Sequence, residues 1–191
     1  MLKSSEINVE KLKSLKETLM SATEYREELL KAFEAGEWKK FIVGYLMMTY
    51  GVRNKDVDVE IVKDKKDMTD PKQNYIFVRG KKATWVRNDY KTIKKYGVKT
   101  EVITDDEFIK ALKAHGVGRL FQVGKLNYNL PKLLINKMLE SKVFKMVIDE
   151  AYMAKNTEEI NRLSKSRGTS IATIKGFYDL NATDDVIKEL V

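Results

Sequence analysis

The chain has 191 residues, with 36 Lys and Arg against 28 Asp and Glu and a net charge of +8, and its length suits one compact domain or a domain with a small appendage. It contains no cysteine and one histidine, His115, which excludes disulfide scaffolds, Cys-ligated metal centres and two-histidine metal sites within one chain. No stretch reaches the roughly 20 apolar residues of a membrane span, and no apolar signal-peptide core follows Met1, so we expect a soluble cytoplasmic protein without a membrane partner.

The positive charge is concentrated in one segment. Residues 63–99 contain 12 basic and 4 acidic side chains, a balance of +8, whereas the remaining residues contain 24 of each sign. A basic surface favours an acidic partner. The segment 63–99 is therefore the first candidate for a binding surface.

The first predicted elements are two helices. Apolar residues recur with helical spacing between residues 8 and 35, and Gly36 suits the end of that helix. A second, more apolar helix is predicted over residues 38–51. The first helix carries its apolar residues on one stripe. It predicts a site for a partner helix or for self-association through residues 8–35, and so an alternative function as an interaction or assembly component.

The sequence pattern then changes to the period of a β-strand. Val57, Val59 and Ile61 alternate with acidic residues, which is typical of a half-buried strand. Two β-rich runs at residues 75–78 and 83–86, joined by a basic turn, predict a hairpin.

Helices dominate the rest of the predicted chain. After a short helix over residues 90–96 and a strand over 98–103, Thr104 and Glu107 have the spacing of a capping box for a helix that ends near Gly116. Beyond residue 117 only helices are expected, one of them running from Pro131 to about residue 154 and the last beginning at Thr183. The fold class is α+β: N-terminal helices on a small sheet in residues 1–116, followed by a helical region in residues 117–191.

The predicted hairpin and the short helix after it combine cations with aromatic rings. Cations neutralise phosphates and rings stack on bases, so one surface here suits a nucleic acid. The candidate binding residues of this segment are Arg79, Lys81, Lys82, Trp85, Arg87, Tyr90, Lys91, Lys94 and Lys95.

The hairpin leaves two arrangements open. Side chains alternate across a strand, so Tyr75 and Phe77 point to one face while Ile76 and Val78 point to the other. If the aliphatic face packs on the helices, the aromatic face is displayed beside the basic turn. If the aromatic face is the core, only the lysines remain outside.

A second feature lies near the C-terminus, where residues 160–178 resemble the helix-turn-helix of DNA-binding proteins. The residues that match the pattern of that family are Leu163, Ser164, Gly168, Ser170, Thr173 and Ile174, with Phe177 as a further core contact. Arg167 and Thr169 depart from it, because apolar residues are usual on either side of the turn glycine, and Gly176 weakens the second helix.

The resemblance implies roles for residues of both helices. It places Ser170, Ile171, Ala172 and Lys175 near the groove of the DNA, and Arg162, Lys165 and Arg167 near phosphates. Few of these side chains make bidentate contacts with bases, so binding to the DNA backbone is expected rather than sequence reading.

A third group of residues favours a different chemistry. Asp56, Asp58 and Glu60 alternate along the first predicted strand, where three carboxylates on one face are able to hold a divalent ion. This grouping gives a second alternative function, a metal-dependent nuclease.

The function favoured by the sequence is non-catalytic binding of nucleic acid, DNA rather than RNA, in replication, transcription or packaging. No metal or cofactor is assigned. The many Lys and Asn residues suggest an AT-rich genome such as that of a phage or a mobile element.

Overall fold

The computed structural model describes residues 20–177, which form eight helices and one five-stranded mixed sheet and confirm the α+β class. The helices are α1 (Ala22–Glu34), α2 (Trp38–Tyr50), α3 (Ile93–Tyr96), α4 (Asp106–His115), α5 (Leu126–Asn129), α6 (Glu140–Met153), α7 (Thr157–Arg167) and α8 (Ile171–Phe177). The strands are β1 (Val59–Val62), β2 (Asn74–Arg79), β3 (Lys82–Arg87), β4 (Lys99–Ile103) and β5 (Gly118–Arg119).

The strands are ordered β4-β3-β2-β1-β5 across the sheet. β1 and β2 run parallel, with Val62 opposite Phe77, whereas the other neighbouring pairs are antiparallel. β2 and β3 form the predicted hairpin, which closes at the pair of Arg79 and Lys82. The carboxyl ends of β1 and β2 therefore lie at the same end of the sheet as the hairpin turn.

One face of the sheet packs against the helices. Ile61, Ile76 and Trp85 are cross-strand neighbours on that face, and each is at most 2% exposed. The ring of Tyr50 in α2 meets the Trp85 ring edge-on, with 5.4 Å between centroids. Full burial of such a side chain contributes about 1.5–3 kcal/mol, so this row anchors the sheet on α2.

Helix α1 begins after Ser21. The Glu24 backbone N–H donates to Ser21 Oγ at 3.1 Å, so this serine caps the helix. Tyr25, Leu29 and Ala32 are buried in the core of this chain. The earlier part of the predicted helix lies outside the described residues, and the described part of its apolar stripe is covered by the protein itself.

The long helix predicted from Pro131 is interrupted, and that prediction is wrong in its first part. The chain instead forms two short 3-10 turns, Leu130–Lys132 and Ile135–Lys137, before α6 begins. Asn136 and Lys137 have positive φ angles of 49° and 56°, a conformation that an α-helix excludes. Pro131 does lie in the first turn of a short helix.

Residues beyond 117 complete both the sheet and the core. Gly118 and Arg119 pair with β1 as a fifth strand, where the sequence predicted helices only. The guanidinium of Arg26 in α1 forms an ion pair of 2.6 Å with Glu150 in α6. The buried side chains of Phe144 and the other core-facing residues of α6 belong to the same apolar cluster as α1 and α2. Residues on both sides of the predicted boundary therefore share one core.

The helices are short by the standard of a membrane protein. Helix α6 has 14 residues, whereas a transmembrane helix needs about 20. In the described part of the chain, no helix has the length and apolar character needed to cross a membrane.

Candidate nucleic-acid interface

The hairpin turn carries a group of exposed cations. Arg79 ends β2, Lys82 begins β3, and the turn between them passes through Gly80 with a φ of +61° and exposes Lys81. Lys63 follows β1 and lines a cleft together with Val78. Lys63, Arg79, Lys81 and Lys82 therefore lie at one end of the sheet, and we call them the tip patch.

The cations of the tip patch are exposed and lie outside the ion pairs of the described residues. All four of its side chains are exposed. Among residues 20–177, none of the ion pairs involves Lys63, Arg79, Lys81 or Lys82. Exposed cations that are not paired with carboxylates are available to an anionic partner.

Three of the predicted contact residues lie in the interior instead. Trp85 and Arg87 are 0% exposed, and Tyr90 is 2% exposed. Trp85 and Arg87 are two residues apart on β3, so they share the face that packs on the helices. Tyr90 donates from its hydroxyl to the carbonyl oxygen of Gly97 at 2.5 Å. The predicted stacking by Trp85 and Tyr90 and the predicted phosphate contact of Arg87 do not fit this burial.

The burial of side chains on the two faces of the hairpin differs from both arrangements that the sequence left open. Ile76 packs on the core, as in the first arrangement, but Trp85 lies beside it on the same face. On the outer face Tyr75 is also buried, and its hydroxyl accepts from the Asp70 backbone N–H at 2.9 Å. Phe77 remains half-buried near the tip patch.

The guanidinium of Arg87 is buried next to a carboxylate and a ring. Its Nη1 lies 2.9 Å from Asp56 Oδ2, and its central carbon lies 4.5 Å from the centroid of the Trp85 ring. Burial raises the pKa of Asp56 above its ordinary value, although the charge of Arg87 opposes that shift. The Arg87 guanidinium therefore makes these contacts inside the protein.

Side chains from two strands and two loops donate to the carboxyl terminus of α7. Four successive carbonyl oxygens, from residues 165 to 168, each accept from a different side chain. The donors are Lys99 to Lys165, Arg87 to Ser166 at 2.6 Å, Arg53 to Arg167 at 2.8 Å and Thr92 to Gly168 at 2.8 Å. The last carbonyls of a helix lack partners within the helix, and cations there are favourable for its dipole. Part of the basic segment therefore caps a helix.

Sequence reasoning missed this capping arrangement. Arg53 and Thr92 carried no signal in the sequence, and Lys99 counted only as one more positive charge. The donors lie 66 to 114 residues from their acceptors along the chain. No local pattern could have paired them.

The C-terminal helices have part of the geometry that the helix-turn-helix resemblance implies. Gly168 ends α7 in the left-handed conformation with a φ of +70°, and Ser170 Oγ accepts from the Thr173 backbone N–H at 3.1 Å. Leu163 and Ile174 are buried between the helices. Thr173, expected to pack inward, is exposed. Whether this unit binds DNA stays a prediction.

Two of the arginines assigned to phosphates by the resemblance have partners within the protein. Arg167 is 1% exposed and lies 2.7 Å from Glu140, so its predicted phosphate contact does not fit this burial. Arg162 donates to Glu159 and to the Thr49 carbonyl oxygen at 2.6 Å. Lys165 and Ser170 remain exposed, and Lys175 is half-buried. Tyr178 lies outside the described residues.

A second basic surface lies at the other end of β3. Lys91, Lys94, Lys95 and Lys165 are exposed there, and we call them the helix patch. Thr92 holds this region against Gly168. Since the six residues of β3 span about 17 Å, the tip patch and the helix patch are two separate surfaces.

The three carboxylates predicted to share a strand face do not all do so, because Asp56 lies outside the strand. Asp56 lies in the 3-10 turn Asn54–Val57 and points inward to Arg87, while Asp58 precedes β1 and Glu60 lies within it. Burial raises the pKa of Asp58 as well. Within residues 20–177 no group of three or more His, Asp or Glu side chains is arranged to hold a metal ion. The geometry predicted for a nuclease site is therefore wrong.

Comparison of the chain with protein-family models, with curated proteins and with solved structures finds no match. The two basic patches are thus the features of the described residues that point to a function.

Proposed function

We propose that the protein binds nucleic acid through the tip patch, with DNA as the partner and no chemical step. The observation that carries this proposal is the set of four exposed cations at one end of the sheet, outside the ion pairs of the described residues. Arg87 and Arg167 are buried in pairs with carboxylates, so the accessible positive charge of the hairpin lies at its turn.

The chemistry of the tip patch suits the phosphate backbone. Three of its four members are lysines, which bind phosphates as point charges without reading a base edge. Arg79 is the one member able to make a bidentate contact. Binding through such a surface releases counterions and weakens steeply with added salt. We therefore expect little preference for base sequence.

The helix patch supports a second contact with the same partner. Thr92, within the same segment as Lys91, Lys94 and Lys95, contacts Gly168 in the turn between α7 and α8, and the helix-turn-helix resemblance implies that DNA lies near this turn. Ser170 lies in that turn and Lys175 in α8. A partner that reaches both patches has to span about 17 Å, which suits a duplex or an extended strand better than a small anion. Such a protein fits replication, transcription or packaging, including those of a phage or mobile element.

Charge reversal at the hairpin turn tests the proposal. Lys81→Glu together with Lys82→Glu changes two exposed side chains without touching the core, so the fold is retained. We expect affinity for duplex and single-stranded DNA to fall by about tenfold or more at low salt. The matched control is Lys142→Glu with Lys155→Glu, which makes the same change of charge on and next to α6.

The readout is fluorescence anisotropy of labelled duplex DNA, single-stranded DNA and RNA of equal length. Loss of affinity in the hairpin variant alone supports the tip patch. Equal losses in both variants point to a general charge effect, and unchanged binding in the hairpin variant removes the assignment. Tighter binding of RNA than of DNA overturns the choice of partner.

A further inference from the structure

A separate cleft lies where α2 begins and α4 ends. Its volume is about 530 Å³, within the range of small-molecule sites. The charged and aromatic side chains that line it come from three elements, and they are Glu37, Trp38, Lys39, Lys40, His115 and Lys132. We call it the lysine cleft. None of these residues belongs to either basic patch.

Positive charge dominates the lysine cleft. Three lysines face one carboxylate, Glu37, which lies 3.9 Å from Lys40. Lys132 lies over the ring of Tyr128 at 4.1 Å from its centroid. Among the residues that the structure describes, neither Lys39 nor Lys132 takes part in an ion pair. Both amines are therefore available to an anion in the cleft.

His115 is the one histidine of the chain, and its position fixes how it meets the cleft. Its Nδ1 lies 2.8 Å from the carbonyl oxygen of Gly116. Because a carbonyl oxygen only accepts, the proton is assigned to Nδ1. The other ring nitrogen, Nε2, is then left for solvent or a ligand. A hydroxyl group of a ligand is a suitable donor to it.

The end of α4 contributes residues to two clefts, one of them beside the tip patch. A second cleft, of about 320 Å³, is lined by Lys63 of the tip patch and by Lys113 and Gly116. His115 lies between those two residues in the chain and lines the lysine cleft. Neighbouring residues at the carboxyl end of α4 therefore line both clefts, although no residue is common to the two. Lys113 is a further cation on that end of α4, where a strand bound at the tip patch along Lys63 would approach the lysine cleft.

We propose that the lysine cleft binds the phosphate monoester of a nucleotide. A monoester carries about −1.5 to −2 charges and three acceptor oxygens, whereas a phosphate within a strand carries one charge and two free oxygens. Three lysines and Glu37 give the cleft a formal charge of +2, three positive and one negative, which matches the monoester, and the amines of Lys39 and Lys132 supply donors to its oxygens. Trp38 is half-buried on the cleft wall, packed at 5.5 Å on Phe33, and places an aromatic ring beside the lysines for contact with the nucleoside.

Two kinds of ligand carry such a phosphate monoester: a free mononucleotide and the phosphorylated end of a nucleic-acid strand. The strand end rests on the proposed function, since the strand has to cross the tip patch. The free mononucleotide does not. The test therefore uses adenosine monophosphate alone and single strands of about 12 nucleotides that carry a 5′-phosphate, a 3′-phosphate or no terminal phosphate.

The variant is Lys39→Gln with Lys132→Gln, two exposed positions where loss of charge leaves the core intact. The matched control is Lys142→Gln with Lys155→Gln. We expect one phosphorylated strand to bind about tenfold tighter than the strand without a terminal phosphate, as charge-assisted hydrogen bonds to one group allow. That preference should disappear in the cleft variant and persist in the control.

Each outcome decides the proposal. A preference for a phosphorylated end that depends on Lys39 and Lys132 supports the strand end. Binding of adenosine monophosphate that depends on them, without such a preference, supports the free nucleotide. Equal binding of all strands with no binding of adenosine monophosphate overturns the proposal, as does a preference that survives in the cleft variant.

The tip patch is tested separately in the same assay. Lys81→Glu with Lys82→Glu should weaken all strands by the same factor and preserve the preference for a phosphorylated end. If the hairpin variant binds like the unaltered protein while the cleft variant loses the preference, the tip patch assignment fails and the cleft remains. If only the hairpin variant has an effect, the cleft fails and the proposed function remains.

Discussion

Arg87 and Asp56 form an ion pair of 2.9 Å in which neither side chain is more than 1% exposed. The same guanidinium nitrogen of Arg87 donates to the Ser166 carbonyl oxygen at 2.6 Å. One arginine therefore joins β3, the turn before β1 and the end of α7. The contact ties the C-terminal helices to the sheet.

Removal of Arg87 should destabilise the protein strongly. Arg87→Met leaves the Asp56 carboxylate buried without its partner, which typically costs about 3–5 kcal/mol. Urea denaturation at neutral pH measures the change in free energy of unfolding. Lys82→Met on the same strand is the control, and its exposed position predicts a change within about 0.5 kcal/mol. A loss below about 1 kcal/mol for Arg87→Met would contradict the structural role of the pair.

The Asp56 carboxyl group should also affect the pH dependence of stability. Burial raises its pKa in the folded state above the ordinary value of 3.8, so the folded protein holds this proton more tightly than the unfolded chain. The contribution of Asp56 to stability therefore grows as the pH falls through the folded pKa and becomes constant below about 3.8.

Asp56→Asn isolates that contribution. The difference in free energy of unfolding between the unaltered protein and this variant should shift in favour of the unaltered protein from pH 7 towards pH 4. Urea denaturation at a series of pH values gives the difference. A shift in the opposite direction would mean that the attraction of Arg87 outweighs burial, and that the folded pKa lies below its ordinary value.

The hairpin illustrates what the sequence can and cannot predict. The alternation of residues 75–78 and 83–86 is local, so both strands were predicted with nearly the observed bounds. Which face is buried depends on distant residues. Arg87 lies inside because Asp56, 31 positions away, supplies a carboxylate for it. Because the local sequence does not reveal that partner, it predicts a surface cation for an arginine at the end of a basic hairpin.

The C-terminal helices likewise combine features that depend on the local sequence with contacts that depend on distant residues. Gly168 ends α7, and Ser170 Oγ accepts from the Thr173 backbone N–H at the start of α8, so both features depend only on nearby residues. Arg167 departs from the apolar pattern of the helix-turn-helix family, yet its side chain is buried over the ring of Phe144, 4.3 Å from its centroid. A carboxylate from α6 makes that burial possible. Such long-range pairing has no signature in a single sequence.

Gly168 should tolerate no side chain. Its φ of +70° strains any other residue, and a Cβ built there overlaps Thr92 Oγ1. We expect Gly168→Ala to lower the free energy of unfolding by about 2–4 kcal/mol, from left-handed strain and overlap together. Gly80→Ala is the control, because its φ is +61° but nothing lies within 4 Å of the added carbon. Gly80→Ala should lower the free energy of unfolding only by the cost of left-handed strain, about 1–2 kcal/mol.

A double variant separates the two costs at Gly168. Thr92→Ala removes the overlapping hydroxyl, so Gly168→Ala should cost less in that background than in the unaltered protein. The thermodynamic cycle from urea denaturation gives the coupling energy. A coupling energy of zero would show that the close approach of Thr92 to Gly168 does not limit the side chain at this turn.

The salt dependence of binding should report the two basic patches separately. Each phosphate contact contributes about −0.9 to the slope of log affinity against log salt concentration. Lys81→Gln with Lys82→Gln should therefore reduce the slope for duplex DNA by about 2, and Lys94→Gln with Lys95→Gln should do the same if the helix patch contacts the duplex. Because the patches lie at opposite ends of β3, a strand about 17 Å long, the losses of binding free energy should add in the combined variant. Anisotropy titrations at several salt concentrations measure both quantities, with Lys142→Gln and Lys155→Gln as the control. A slope that responds to the hairpin pair alone would remove the helix patch, and with it the predicted helix-turn-helix contact, from the interface.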